Sequence, residues 1–199
     1  MTTRVQVLDL GASNLLSVLS ALDDLDVEYS LVKDSRSFQK KPLVMPGTGD
    51  FGYVSSTLGR LGLHEKISSA ASQGYGILGI CLGAQLLLNR SDESPEARGL
   101  GLIDGDSRLL SESPLHRVPS LGWQLVHNSD GGPEWFYFAH SYEMKPEERS
   151  AVCAYYDRGT ETVAASIARD NVVGVQYHPE KSGPAGLSQL QKYLEVVSS

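Results

Sequence analysis

Cysteine is scarce in this chain, and its scarcity excludes several chemistries at once. Only Cys81 and Cys153 occur among 199 residues. Two thiols so far apart in sequence make neither a disulfide framework nor a CxxC metal or redox pair. Histidine is equally thin: His64, His116, His127, His140 and His178 are scattered without HxH or HExxH spacing. No metal and no other cofactor is therefore expected. Runs of Lys and Arg are missing as well. With 17 basic against 24 acidic residues the net charge is −7, so a nucleic acid finds no counterion-releasing surface. Long apolar runs are absent too. Residues 1–10 lack the apolar core of a signal peptide, and the opening stretch is too short and too interrupted by Gly and Gln to span a bilayer. The expectation is a cytoplasmic protein with no membrane partner. The length suits one packed domain over residues 1–199, and neither repeats nor low-complexity segments occur.

The order of hydrophobic patterns then points to an α/β fold. Residues 4–10 read as a first strand, 11–14 as a turn, and Leu15, Leu16, Val18, Leu19, Leu22 and Leu25 recur at helical spacing behind Asn14 or Ser13 as cap. Residues 28–32 and 42–45 read as further strands, 63–73 as a helix ending at Gly74, and 77–80 as a buried strand followed by a helix over 84–88. After Asn89 the texture changes. Residues 91–99 are a polar loop, and from 101 to about 157 short runs separated by Gly, Pro and Asn suggest an antiparallel region. Residues 136–142 and 151–156 have strand character, and 162–167 with 172–177 form a hairpin across Arg169-Asp170-Asn171. Leu187, Leu190, Tyr193, Leu194 and Val197 share one face of a last helix.

Chemistry concentrates in three places. The segment Gly79-Ile80-Cys81-Leu82-Gly83 sets a cysteine where a strand turns into a helix, with glycines that permit a tight turn and close approach. A helix N-terminus there favours a thiolate, whereas most free cysteines are merely small buried hydrophobes. The loop Pro46-Gly47-Thr48-Gly49-Asp50-Phe51-Gly52 formally satisfies GxGxxG, yet no strand ending in an acidic residue follows at the distance a dinucleotide site needs. Its glycines suit a loop whose N–H groups face an anion. Finally, His178-Pro179-Glu180 closes the last strand pattern. In extended backbone, residues two apart face the same side, which brings a base and its orienting carboxylate together, although such a pair at a strand end is commonly only a surface pair.

Gly-Ile-Cys-Leu-Gly-Ala-Gln at 79–85 and Gln-Tyr-His-Pro-Glu at 176–180 resemble the class I (triad) glutamine amidotransferases. The Lys181-Ser182-Gly183 continuation, the Pro-Gly-Thr-Gly-Asp-Phe loop, Gly122-Trp123 after Val118-Pro119, and Phe138-Ala139-His140-Ser141-Tyr142 are most similar to the glutaminase subunits of imidazole glycerol phosphate synthases. The resemblance runs nearly end to end. It implies a flavodoxin-like fold with a mainly parallel central sheet flanked by helices and an antiparallel extension in the second half. It also implies a Cys81, His178, Glu180 triad that hydrolyses glutamine through a thioester, with Leu82 and Thr48 N–H groups as oxyanion hole. Gly49, Gln85, Glu93, Ser141 and Tyr142 would hold the substrate; Gln85 and Glu93 could equally be helix surface and loop surface. Ammonia would pass to a (β/α)8-barrel synthase subunit in a heterodimer serving histidine biosynthesis, with Asn14, Trp123 and Lys181 at interface or gating positions. Two segments depart from that pattern. Leu10 stands where the family usually has Tyr, Ala12-Ser13 where it has a residue and Gly, and Ser120-Leu121-Gly122-Trp123-Gln124 replaces His-Met-Gly-Trp-Asn. Both lie where the synthase docks, which keeps open a paralogue feeding a related barrel in surface-sugar amidation. A partner-independent γ-glutamyl hydrolase and a non-catalytic regulatory subunit are the other readings.

Overall fold

The computed structural model describes residues 3–11, 14–113, 116–128 and 132–198. The first half alternates strand and helix: β1 (Arg4–Leu8), α1 (Leu15–Asp24), β2 (Glu28–Val32), β3 (Leu43–Met45), α2 (Phe51–Arg60), α3 (His64–Ser72), β4 (Ile77–Ile80) and the single turn α4 (Leu82–Gln85). Strands dominate the second half. These are β5 (Arg90–Ser91), β6 (Gly105–Leu109), β7 (Ser120–Asn128), β8 (Glu134–His140), β9 (Tyr142–Pro146), β10 (Val152–Arg158), β11 (Glu161–Arg169) and β12 (Val172–Val175), before the terminal helix α5 (Gly183–Val197).

Nine strands form one sheet in the order β2-β1-β3-β4-β12-β11-β10-β7-β8, and β5-β6-β9 form a second, small one. From β2 to β12 every pairing is parallel; from β12 to β8 every pairing is antiparallel. The parallel strands β3, β4 and β12 are buried at every residue, as strands covered on both faces must be. On one face α1 and α5 set Val18, Leu22, Leu190 and Leu194 against Val5, Val7, Leu78, Ile80 and Val175. On the other, α2 and α3 set Phe51, Leu58 and Ile67 against Leu43, Met45 and Ile77. Each fully buried Leu, Ile or Val contributes on the order of 1.5–3 kcal/mol, so the two clusters hold the strand ends near Cys81 firmly.

The α/β order, the antiparallel second half and the strands over 28–32 and 77–80 match their sequence expectations. Four details differ. Helix α2 starts inside the 46–52 segment expected to be loop and continues through 53–60, where no element is expected, and Asp50 caps it by accepting the Tyr53 N–H at 2.7 Å. The run 136–142 is not one strand, because the chain passes from the large sheet to the small one at Ser141. The helix expected over 84–88 is the single turn Leu82–Gln85. Asn14 does precede α1 but makes no side-chain cap bond, and the alternative cap Ser13 lies outside the described residues.

Candidate active site

The site grows from two adjacent parallel strands. β4 and β12 run in register, Gly79 beside Gly174 and Ile80 beside Val175, so the residues that follow them leave the sheet at the same edge. The Cys81 N–H donates to Val175 O at 2.7 Å, and Cys81 itself turns sharply, with φ 53 and ψ −110. A non-glycine residue in that region costs about 1–3 kcal/mol and persists only where its surroundings hold it. Here the surroundings are backbone. A Cβ on Gly83 would lie 1.9 Å from Met45 O, one on Gly79 2.5 Å from Gly83 O, and one on Gly47 2.5 Å from Gly83 N. The three glycines let β3, the Gly47 loop and the turn after Cys81 stack directly on one another. With α4 reduced to one turn, little helix dipole acts on the sulfur. Charge stabilisation at Cys81 falls instead to side chains.

The first of these is His178. Cys81 acts on it electrostatically, and its Nδ1 lies 2.8 Å from Glu180 Oε1. Nδ1 facing a carboxylate carries the proton, which leaves Nε2 for the sulfur. The pair meets by a route other than the extended strand expected from sequence: β12 ends at Val175, and Pro179–Lys181 is a 3₁₀ turn with Pro179 at its start. Pro fixes the φ that such a turn needs. Ser182 Oγ clamps it, donating to His178 O at 2.7 Å and accepting the Tyr137 N–H at 2.9 Å, while the His178 N–H donates to Tyr137 O. Asn14 is buried beneath the pair and donates its amide to Glu180 Oε1. That bond explains why its side chain does not cap α1. Glu180 Oε2 is buried without a partner among the described residues. Burial works against a charged His178, but hydrogen bonds and charge from Cys81 and Glu180 outweigh it and raise the imidazole to about 10. An imidazolium beside the Glu180 carboxylate is the state this geometry favours.

The other candidates divide into two groups. Gln85 is buried, with its Nε2 donating to Tyr142 O at 2.8 Å and to Gln176 Oε1 at 3.2 Å; it is not helix surface. Glu93 is not bare loop surface either, because its Oε2 accepts the Phe51 N–H at the start of α2. Desolvation raises the Glu93 carboxyl, with Asp50 adding to it against the Phe51 bond, and desolvation also raises Tyr142, with Glu93, Asp92 and Asp50 adding their charge. Glu93, Asp50 and Tyr142 thus share one acidic mouth. Leu82, as the first residue of α4, has an N–H with no intrahelical acceptor, and Thr48 and Gly49 follow the Gly47 contact in the facing loop. The Ser141 carbonyl accepts from Leu110 N–H. Trp123 and Lys181 are exposed, and Trp123 packs edge-on against Tyr137, next to the His178 backbone. Gln176 and Ser182 carry no role in the sequence expectations, where they figure only as members of the run that carries His178.

Residues 6–195 match the glutamine amidotransferase class-I family. The chain belongs to that family. Solved structures share its fold: one described as a glutamine amidotransferase superimposes with a TM-score of 0.80 at 19% identity, covering 98% of this chain and 99% of the other. A structure of PurLQS from Thermotoga maritima gives 0.73 at 22% identity, covering 98% and 99%. Sequence relatives are nearer. An imidazole glycerol phosphate synthase subunit HisH from Geobacillus thermodenitrificans is 38% identical, covering 98% of this chain and 97% of its own. The subunit of the same name from Methanothermobacter thermautotrophicus is 38% identical, covering 97% and 98%. This amidotransferase has, among the described residues, no helix long and apolar enough to cross a membrane.

His140 supports the same strand end and yields a pH prediction. It is 5% exposed, its Nδ1 faces Tyr142 O at 2.8 Å and its Nε2 faces the Tyr156 hydroxyl at 3.2 Å. Desolvation, opposed by the Tyr142 bond and aided by His178 and Arg158, pushes it from 6.5 down to about 4. A depressed imidazole lets the unfolded chain bind the extra proton, so its contribution is intact above pH 6.5 and lost as pH falls toward 4. His178 acts oppositely, its contribution being lost as pH rises toward 10, and it is common to both proteins compared. In urea unfolding, wild type should lose about 2 kcal/mol more than His140→Gln between about pH 7 and 5. Parallel curves would contradict the assignment.

Proposed function

We propose that this chain is a glutaminase subunit that splits glutamine into glutamate and ammonia and passes the ammonia to a (β/α)8-barrel synthase forming imidazole glycerol phosphate in histidine biosynthesis. The observation that carries the chemistry is Cys81 held at φ 53 beside a buried His178–Glu180 pair from the turn that follows the neighbouring strand. The pathway rests on relatives of the same length that bear the HisH name. They favour the histidine-pathway reading over the surface-sugar paralogue.

In this reading Cys81 Sγ attacks the side-chain amide carbon of glutamine, and the Leu82 and Thr48 N–H groups hold the oxyanion. His178 returns its proton to the nitrogen as the C–N bond breaks, releasing ammonia and leaving a thioester. Water, deprotonated by His178, then attacks the thioester carbon and frees glutamate and the sulfur. Glu180 keeps the imidazole oriented and charged when required. The acidic mouth of Glu93 and Asp50 suits the substrate's α-ammonium, with Tyr142, Ser141, Gln85 and Gly49 completing the amino-acid end. The exposed Leu16, Trp123 and Lys181 near Asn14 and His178 form the face for the partner.

The test is to purify the chain with its barrel subunit and follow glutamate release with and without the synthase substrate. Release that depends on the barrel and rises with its substrate is expected. No glutamate in either arm would refute the reading, and cleavage of γ-glutamyl peptides by the chain alone would move it to the hydrolase class.

A further inference from the structure

One buried amide near the sulfur has its orientation dictated, through a second side chain, by a backbone carbonyl. Tyr142 O can only accept, so the Gln85 atom 2.8 Å from it is the amide nitrogen. That nitrogen's second contact, at 3.2 Å, is to Gln176, and the atom receiving it is therefore the Gln176 oxygen. Gln176 must then turn its own amide nitrogen the other way, where it lies 3.8 Å from Cys81 Sγ. Gln176 is 0% exposed and Gln85 4%, so no solvent competes for any of these groups. The Gln176 N–H donates to Ala165 O, which fixes the backbone that carries the side chain.

We infer that Gln176 is a positioning residue that aims an amide N–H at the Cys81 sulfur and stabilises negative charge there. Its donor complements His178, whose imidazolium gives up its proton to the leaving group. An amide keeps its proton throughout, so the sulfur retains one N–H both before attack and after the thioester is hydrolysed. Gln85 acts as the lock: with both of its amide protons committed to Tyr142 and Gln176, it keeps Gln176 from presenting its oxygen to the sulfur. The tie also links the sulfur's surroundings to the Tyr142 backbone of the acidic mouth.

The inference rests on the reading of Cys81 as nucleophile, and its test is chosen to fail separately from that reading. The full chain is treated with iodoacetamide from about pH 5 to 10, and alkylation of Cys81 is followed by mass spectrometry in wild type, Gln176→Leu, Gln176→Glu and Gln85→Leu. Loss of a hydrogen bond to a charged acceptor should slow alkylation about five-fold near neutral pH in Gln176→Leu, and more in Gln176→Glu, which sets a carboxylate against the sulfur. Above the titration the order should invert, because a less stabilised thiolate is intrinsically more reactive. Gln85→Leu should move the profile the same way by a smaller amount, and it decides the matter if the Gln176 variants do not fold. Superimposable profiles, or a uniform change without crossing, would overturn the assignment. Glutamate release in the complex is measured alongside, so loss of that activity with unchanged profiles refutes the role of Gln176 alone.

Discussion

Replacing Cys81 with alanine is expected to lower glutamate release in the assembled enzyme by about 10⁴-fold or more, while Cys153→Ala retains it within about two-fold. The asymmetry follows from where the thiols sit. Cys153 is a half-buried strand residue of β10, with a sulfur contact to Ala151 O at 3.7 Å. Cys81 instead occupies the strained turn after β4, coupled electrostatically to His178 and with Gln176 Nε2 3.8 Å from its sulfur. Alanine at 81 removes the bond-forming atom but preserves the small volume, and it accepts the strained turn no worse than cysteine does. The variant should therefore fold and assemble with its partner. Glutamate quantified over a fixed incubation, with complex formation checked by gel filtration, tests both halves. A Cys81→Ala complex that keeps within ten-fold of wild-type turnover would end the nucleophile assignment.

Gly83→Ala should be the most damaging single methyl group that can be added near the site. Its Cβ would sit 1.9 Å from Met45 O and 3.3 Å from Met45 Cβ. The obstacle is the backbone of β3, which is itself held between β1 and β4. Neither neighbour can swing aside as a flexible side chain would. We expect a loss of about 3–5 kcal/mol in urea unfolding, or no soluble protein. Gly59→Ala supplies the contrast. It lies within α2 with nothing within 4 Å of the added Cβ, so the methyl should gain up to about 1 kcal/mol through helix propensity. Equal midpoints for the two variants would show that the glycine contacts around Cys81 are slack.

Much of this architecture was readable because its signals are local. The apolar run at 77–80 and the alternation at 28–32 became strands with those bounds, and the glycines flanking Cys81 marked the turn correctly. Helix α2 is the harder case, because Gly52 and Gly59 dilute the Phe51, Val54, Leu58 spacing behind the cap at Asp50. His178 and Glu180 were paired for the wrong geometric reason. Alternation in a strand and a 3₁₀ turn both bring such residues together, and Pro179 decides for the turn. The burial of Asn14 against Glu180 and the Gln85–Gln176 tie depend on elements 166 and 91 residues apart. No pattern within a single segment encodes such contacts.

The parallel pairing of β4 with β12 also has a meaning for synthesis of the chain. Cys81 and Gln176 are 95 residues apart, and β12 enters the middle of the nine-stranded sheet rather than its rim. A nascent chain that has emerged only through β10 therefore carries β4 as an open edge, with a thiol that has no base beside it. Such a late, non-local insertion is slow compared with helix or hairpin formation and leaves the intermediate prone to edge pairing. The same order means that Cys81 and His178 come together only when the last strand has closed the sheet.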